Sequence, residues 1–173
     1  MNHIVIIGFM GSGKTRVGKR LAKDFDIPFV DIDRVVTKKM NLSSKEIFDR
    51  FGEPFYRALE TTAVKALIED PEQKVISLGS GLPMQEQNEK YIKKLGTVVY
   101  LKGSYETLKK RLENSSSNPL LEGADKADKI KKLLKQRDPV YAKFADVEMI
   151  TGDKPFEELI GQLEEKLKTY IKK

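Results

Sequence analysis

The fold of this chain is decided near its amino terminus by the stretch Gly8-Phe9-Met10-Gly11-Ser12-Gly13-Lys14-Thr15. It matches the pattern G-x-x-x-x-G-K-[ST] of a phosphate-binding loop, and it stands between a β-branched run, 4–7, and a helix-like stretch, 14–25. Glycines let backbone N–H groups turn inward around phosphate oxygens, and a helix amino terminus adds a favourable dipole. The lysine places a cation on the β- and γ-phosphates, and the threonine hydroxyl binds Mg²⁺. The stretch therefore predicts a site for a nucleoside triphosphate with magnesium, but it does not specify the acceptor or separate a kinase from a GTPase.

Apolar runs alternate with helix-like stretches along the rest of the chain. Short runs rich in β-branched residues predict five strands, at 4–7, 29–32, 75–78, 97–101 and 147–150. Apolar residues at helical spacing predict helices at 14–25, 53–69, 105–112, 129–136 and 156–167, and Ser43 with Glu46 forms a capping box that begins another. Continuous apolar runs favour a parallel sheet covered on both faces. We therefore predict one doubly wound α/β domain over residues 1–173.

Composition restricts the chemistry further. The chain has no cysteine and a single histidine, His3, which excludes disulfide scaffolds, cysteine nucleophiles, His-ligated zinc and a Ser-His-Asp triad. The net charge is +6, but the lysines are mixed with glutamates, a pattern typical of solvated helix faces and not of nucleic-acid binding. The apolar runs are too short for a signal segment or a membrane span. We therefore expect a cytoplasmic protein that binds neither nucleic acid nor membrane.

Two further blocks follow predicted strands. Asp31 and Asp33 stand two residues apart at the end of the second predicted strand, so both carboxylates are expected on one face, at the edge where ligands bind. One would organise magnesium while the other accepts a hydrogen bond from an acceptor hydroxyl; the alternative is a helix N-cap plus a loop acid. Gly79 and Gly81 follow the third strand, where they either let a ligand approach the backbone or form a simple turn.

A polar segment, 113–128, separates two predicted helices and is long for a compact domain. Loops of this length are usually functional or disordered. We interpret it as a mobile lid over the active site; a plain surface loop is the alternative. The third predicted strand does not end in an acidic residue, and the chain lacks the Asn-Lys-x-Asp motif of GTPases. These features favour a small-molecule kinase.

Five ordered blocks resemble the shikimate kinases, the small P-loop kinases of aromatic amino-acid biosynthesis. The blocks are residues 8–15, 31–33, 47–60 (IFDRFGEPFYRALE), 78–81 and 137–141 (RDPVY). The third block is the most distinctive, and the resemblance covers essentially the whole chain. It implies a P-loop kinase fold, with a five-stranded parallel sheet of the nucleoside monophosphate kinase type. It also implies transfer of the ATP γ-phosphoryl group to the 3-hydroxyl of shikimate, by a monomer.

The resemblance also implies roles for individual residues. The ATP phosphates would be held by Gly11, Ser12, Gly13, Lys14, Thr15 and Arg16. Thr15 would bind Mg²⁺ with help from Asp31, while Lys14 and Asp33 would be catalytic, Asp33 as the base that also binds ring hydroxyls. The substrate carboxylate and its surroundings would be met by Arg57, Gly79, Gly81 and Arg137, and the adenine by Arg111. An anionic acceptor needs guanidinium groups, although each arginine has a surface ion pair as its alternative.

Three positions depart from the family pattern. Tyr56 replaces a phenylalanine that the family commonly has, which predicts a tolerated change in packing. Ser80 replaces the middle glycine of a Gly-Gly-Gly run and adds a Cβ and a hydroxyl. Asn118 replaces the lid arginine that would meet the phosphates, with Lys126 and Lys129 as candidate substitutes. Two alternatives therefore stay open: a nucleotide-binding protein with weakened catalysis, and a kinase for another small polyol acid such as gluconate.

Overall fold

Strand β1 (His3–Gly8) lies at the centre of a five-stranded parallel sheet. In the computed structural model, which describes residues 2–115 and 118–171, the other strands are β2 (Phe29–Asp31), β3 (Val75–Ser77), β4 (Gly96–Gly103) and β5 (Val147–Thr151). They lie in the order β2-β3-β1-β4-β5, and all neighbouring pairs are parallel. The predicted sheet is therefore confirmed.

The helices connect these strands. They are α1 (Lys14–Asp24), α2 (Ile32–Met40), α3 (Ser44–Phe51), α4 (Glu53–Ile68), α5 (Glu89–Leu95), α6 (Tyr105–Leu112), α7 (Lys126–Phe144) and α8 (Phe156–Leu167). Short 3₁₀ turns occur at Leu82–Met84, Glu86–Asn88 and Pro119–Leu121. The predicted capping box at Ser43 and Glu46 begins α3. Along 2–115 and 118–171, no helix has the length and apolar character needed to cross a membrane.

Alternate residues of β1 point to opposite faces of the sheet. Ile4 and Ile6 pack with α1 and α8, whereas Val5 and Ile7 pack with α2 to α7. All four side chains are fully buried, as expected for a strand covered on both sides. Helices therefore cover both faces, and the carboxyl ends of the strands remain at one edge, where loops carry the site.

Strand β2 ends earlier than the sequence predicts. Asp31 is its last residue, and Asp33 lies in the first turn of α2, a helix that the apolar pattern did not predict. The prediction that both carboxylates share one face of the strand is therefore wrong, and the alternative is right for Asp31, which is a helix N-cap. The reason is N-cap chemistry: Asp31 Oδ1 accepts a hydrogen bond from the Asp33 N–H at 3.1 Å, which satisfies a donor of the first turn and starts the helix there.

Helix α7 is longer than the predicted 129–136. It begins at Lys126, which shortens the loop expected over 113–128, and it continues past Pro139 to Phe144. Proline removes one backbone donor, but the buried side chains Leu134, Arg137 and Tyr141 keep helical spacing across it. Burial of that stripe outweighs the lost hydrogen bond, and it places Arg137 on a helix.

Candidate active site

The turn between β1 and α1 has the shape of a phosphate cradle. Gly11 and Gly13 have φ angles of 77° and 96°, in the left-handed region that favours glycine. Helix α1 begins after Gly13 without a side-chain cap, so its first N–H groups point out of the helix end. Ser12 Oγ is buried and has no hydrogen-bond partner in the described part of the chain. Uncapped amides and an orphan hydroxyl fit a bound phosphate.

Lys14 lies inside this cradle. Its ammonium donates to the carbonyl oxygens of Gly8 and Phe9, each at 3.0 Å. Burial lowers the pKa of Lys14 to about 8, although the negative charges of Asp33 and Asp31 oppose the shift. Bound phosphate oxygens would stabilise the ammonium further. Below a pH of about 8, Lys14 is therefore a cation that is placed to bind an anionic ligand.

Thr15 and Asp31 meet at the mouth of the cradle. Thr15 Oγ1 donates a hydrogen bond to Asp31 Oδ2 at 3.0 Å. Mg²⁺ prefers oxygen ligands and is usually held by one or two protein groups, phosphates and water. The hydroxyl and carboxylate oxygens of this pair fit that ion.

Two arginines flank the phosphate loop. Arg111 Nη1 donates to the Gly11 carbonyl oxygen at 3.0 Å, and both terminal nitrogens of its guanidinium lie 3.4 Å from Thr151 Oγ1. The Arg16 guanidinium lies 3.9 Å from the centroid of the Phe156 ring on α8. Arg111 therefore connects the phosphate loop to the end of β5, while Arg16 combines a ring contact with a place on the wall of the phosphate cavity.

Two cavities meet at the carboxyl edge of the sheet. The phosphate cavity, about 490 Å³, is lined by the phosphate loop, Asp31 and Ser77. The acceptor cavity, about 190 Å³, is lined mainly by α3, α4 and the turn Pro119–Leu121. Among the described residues, Asp33, Ser80 and Asn118 line both cavities. These three residues stand where a phosphoryl donor and an acceptor would meet.

Asp33 is held by Tyr56. The Tyr56 hydroxyl donates to Asp33 Oδ1 at 2.6 Å, and its ring packs against Phe48 with centroids 5.0 Å apart. The packing expected for Tyr56 is present, and the hydrogen bond is additional. Phenylalanine at this position would supply only the ring.

Arg57 forms ion pairs with two carboxylates of its own helix. Nη1 lies 2.9 Å from Glu60 Oε2, and Nη2 lies 3.1 Å from Glu53 Oε1. The Nε–H also donates to Glu53 Oε1, so three of the five guanidinium N–H bonds are engaged and two are left for a ligand. Arg57 is buried and lines the acceptor cavity. The pair with Glu60 is therefore buried, whereas the pair with Glu53 reaches the surface, because the Glu53 side chain is 43% exposed.

Glu60 is a fully buried carboxyl that belongs to the most distinctive block of the family resemblance, although no role was predicted for it. Its Oε1 has no hydrogen-bond partner in the described part of the chain. Burial raises the pKa of Glu60 to about 7; Arg57 opposes the shift and the charge of Asp33 adds to it. The carboxyl therefore changes charge near neutral pH. Its three-residue spacing from Arg57 on a helix was the signal available in the sequence.

The glycines after β3 are required by protein side chains. A Cβ on Gly79 would collide with Glu60 Oε1, and one on Gly81 would collide with the guanidinium of Arg57. The turn therefore packs directly onto the buried ion pair. The groups that approach these glycines are Glu60 and Arg57, and the approach of a ligand stays a prediction.

Ser80 connects Arg137 to the acceptor cavity. Ser80 Oγ accepts a hydrogen bond from Arg137 Nη1 at 3.2 Å, and the Ser80 carbonyl oxygen accepts one from the Tyr141 hydroxyl at 2.6 Å. Arg137 is buried, at 6% exposed, and Ser80 lines both cavities whereas Arg137 lines neither. The serine hydroxyl therefore lies on the cavity side of the guanidinium and holds it in place.

Asn118 and the turn Pro119–Leu121 place uncharged groups at the acceptor cavity, and Asn118 also lines the phosphate cavity. Asn118 Oδ1 accepts a hydrogen bond from the Leu120 N–H at 3.0 Å and so caps this turn. Beyond the turn, Glu122 pairs with Lys45 of α3 at 3.1 Å. Residues 116 and 117 of the predicted lid lie outside the described residues.

The two candidate lid lysines are engaged elsewhere. Lys126 donates to the carbonyl oxygen of Ser115, and Lys129 to that of Glu122. Lys129 also pairs with Asp125 at 3.2 Å. Neither lysine lines the phosphate cavity or the acceptor cavity. In this conformation, neither one replaces the charge of a lid arginine.

A P-loop kinase for a small acceptor is the class of protein that this fold and these paired cavities define. The family model for shikimate kinase matches residues 10–168. Shikimate kinases from Thermodesulfovibrio yellowstonii and Moorella thermoacetica are 38% and 41% identical to the chain over 167 and 169 residues, which cover 95% and 98% of it and 96% of each relative. The solved structure of shikimate kinase from Acinetobacter baumannii in complex with shikimate matches with a TM-score of 0.91 and 31% identity, over 99% of this chain and 96% of that one. The chain belongs to the shikimate kinase family.

Proposed function

We propose that this protein transfers the γ-phosphoryl group of ATP to the 3-hydroxyl of shikimate. The observation that carries the proposal is the place of Asp33, at the junction of a cavity built for phosphate and a cavity lined by an arginine. Membership of the shikimate kinase family supports the acceptor. The relative whose structure matches over 99% of the chain was solved with shikimate.

Asp33 and the residues around it have separate roles in phosphoryl transfer and in binding of the acceptor. ATP with Mg²⁺ supplies the phosphoryl group and much of the charge neutralisation. Asp33 accepts a hydrogen bond from the acceptor hydroxyl and takes its proton, while Lys14 stabilises negative charge on the phosphates. On the acceptor side, the two remaining N–H groups of Arg57 bind the substrate carboxylate, and Arg137 contributes from behind Ser80.

Metal and nucleotide binding follow from the same geometry. We propose that Thr15 and Asp31 hold Mg²⁺, Asp31 through water, because their oxygens already face each other. We also propose that Arg111 binds the adenine, and its contacts with Gly11 and with Thr151 at the end of β5 support this role. We further propose a cytoplasmic monomer of one domain that binds neither nucleic acid nor membrane, with a lid in the segment 113–128, whose last three residues begin α7.

A second candidate is a nucleotide-binding protein with weakened catalysis. Asn118 favours it, because this residue brings a neutral amide to the junction where the family has an arginine. The two candidates differ in rate, since both predict nucleotide binding and only the kinase predicts turnover that depends on shikimate.

The test is an ADP-release assay with ATP and Mg²⁺, run with shikimate, with gluconate and without an acceptor. We expect shikimate to stimulate ADP formation well above the rate without acceptor, and gluconate to do so poorly, because a pocket of paired polar groups penalises any missing partner. Phosphorus NMR of the product locates the new ester at the 3-hydroxyl. Equal stimulation by gluconate would remove the shikimate assignment, and nucleotide binding without stimulation by either acceptor would favour the second candidate.

A further inference from the structure

The hydroxyl of Tyr56 has a fixed position. Its ring is 3% exposed and is held by Phe48 on one side, with the Arg57 guanidinium carbon 5.6 Å from the ring centroid. Tyr56 lies in the first turns of α4, where its N–H reaches the Gly52 carbonyl oxygen. A ring clamped in this way can move its hydroxyl very little, because the side chain has only two rotatable bonds.

Asp33 by contrast is exposed to both cavities. Its backbone N–H is tied to Asp31, but this bond does not restrict rotation of its carboxylate. The Tyr56 hydroxyl occupies Oδ1 at 2.6 Å, and a carboxylate has a second oxygen with its own lone pairs. The hydrogen bond therefore selects which oxygen of Asp33 is held by the protein and which is left for a ligand.

We propose that Tyr56 is a positioning residue for Asp33, whose clamped hydroxyl fixes one carboxylate oxygen so that the other faces the acceptor hydroxyl. This inference rests on the proposed function, because Asp33 needs an acceptor to meet. It assigns a task to the one atom by which tyrosine differs from phenylalanine at this position. Reactive geometry is demanding, since misplacement by about 1 Å lowers rates by roughly a hundredfold.

Burial, with the neighbouring carboxylates, keeps the Tyr56 hydroxyl protonated. Burial raises the pKa of Tyr56 far above its ordinary value, and the negative charges of Asp33 and Glu60 act in the same direction, while Arg57 opposes them. The hydroxyl is therefore a hydrogen-bond donor, never a phenolate, under working conditions. It accordingly orients the carboxylate without competing with Asp33 for the acceptor proton.

The first test is Tyr56→Phe, which removes the hydroxyl and keeps the ring. We expect kcat with shikimate to fall about tenfold, while KM and the shikimate dissociation constant measured without nucleotide change less than twofold. The reason is that a loosely held carboxylate still binds ring hydroxyls in the ground state but spends less time in the reactive orientation. A raised dissociation constant with unchanged kcat would overturn the proposal, because it would make the hydroxyl a direct substrate contact.

The second test asks whether the effect acts through Asp33. In an Asp33→Ala background, Tyr56→Phe should lower kcat no further, since the side chain to be positioned is already gone. A further loss in that background would overturn the proposal, as would a kcat of Tyr56→Phe within twofold of the wild type. If the wild-type protein shows no turnover that depends on shikimate, the proposed function fails first, and that result is distinct from both.

Tyr100→Phe is the matched control. The buried Tyr100 hydroxyl donates to Asp138, outside the two cavities, so this change also removes a tyrosine–aspartate hydrogen bond. We expect it to lower the melting temperature at least as much as Tyr56→Phe while kcat stays within twofold. A loss of kcat equal to that of Tyr56→Phe would assign the effect to general loosening of the fold and overturn the positioning role.

Discussion

Asn118→Arg would install a charge where the two cavities meet. Asn118 lines both cavities, so a guanidinium on this turn would come close to the phosphoryl group. Two unit charges about 4 Å apart interact by about 4 kcal/mol at an effective dielectric constant of about 20. Much of that attraction already exists with bound nucleotide, and only the part that grows in the transition state raises the rate. We take that part as about 1.4 kcal/mol, or roughly tenfold in rate.

The same substitution also removes a cap. Asn118 Oδ1 accepts from the Leu120 N–H, and loss of an Asn cap costs about 1 kcal/mol of local stability. Asn118→Ala removes the cap without adding charge, so it is the matched control. We expect the rate constant for phosphoryl transfer, measured by rapid quench in a single turnover, to rise about tenfold in Asn118→Arg and to fall below wild type in Asn118→Ala.

The outcome that refutes this reasoning is an Asn118→Arg rate constant no higher than that of Asn118→Ala. The lysines provide a second check. Lys126→Ala and Lys129→Ala should leave the rate constant within about threefold of wild type, because both ammonium groups bind backbone carbonyl oxygens away from the cavities. A sharp loss in either variant would show that a lysine already supplies the lid charge.

Three further variants test other parts of the site. Lys14→Ala should abolish turnover, with shikimate binding in the absence of nucleotide little changed by calorimetry, because the lysine acts on phosphate and not on the acceptor. Ser80→Gly removes the oxygen that accepts from Arg137, so shikimate should bind about fivefold more weakly, the scale of a typical hydrogen bond; tighter binding would mean that the added Cβ narrows the pocket instead. Glu60 holds a proton up to a pH of about 7, whereas an unfolded glutamate titrates near 4.3. The native state therefore binds the extra proton between these values, and the free energy of unfolding should fall by about 1.4 kcal/mol per pH unit as pH rises through that window. In Glu60→Gln this component should be missing from denaturant melts at pH 5, 6 and 7, and equal slopes in the two proteins would contradict the assignment.

Features set by neighbours in the chain could be predicted from the sequence. The phosphate loop, the capping box at Ser43 and the parallel sheet depend on local spacing and apolar runs, and all three are present. The end of β2 could not be predicted in the same way, because two local signals compete there. Strand alternation predicts Asp33 on the same face as Asp31. The Asp31 side chain instead caps a helix, so the strand ends at Asp31 and Asp33 becomes helical.

Contacts between distant residues decide the rest of the site. Tyr56 and Asp33 are 23 positions apart, and Arg137 and Ser80 are 57 apart. The sequence around one partner does not indicate the other, because each contact forms only when the helices have packed on the sheet. The strand ends predicted Asp33 and Gly79 at this edge and the family resemblance added Arg57 and Arg137, whereas the hydrogen bonds that orient Asp33 and Arg137 follow from packing.

Helix α7 runs from the proposed lid to the side of the acceptor pocket. Lys126 at its start binds the lid backbone, and Arg137 lies 11 positions further on, a distance of about 16 Å at about 1.5 Å per residue. Pro139 lacks the N–H that would bond the carbonyl oxygen of residue 135, so the weakened turn spans 135–139, while Tyr141 beyond it is anchored to the Ser80 carbonyl oxygen. A bend in this helix is therefore expected within the turn that contains Arg137, where it would change the direction of the guanidinium while Tyr141 stays anchored.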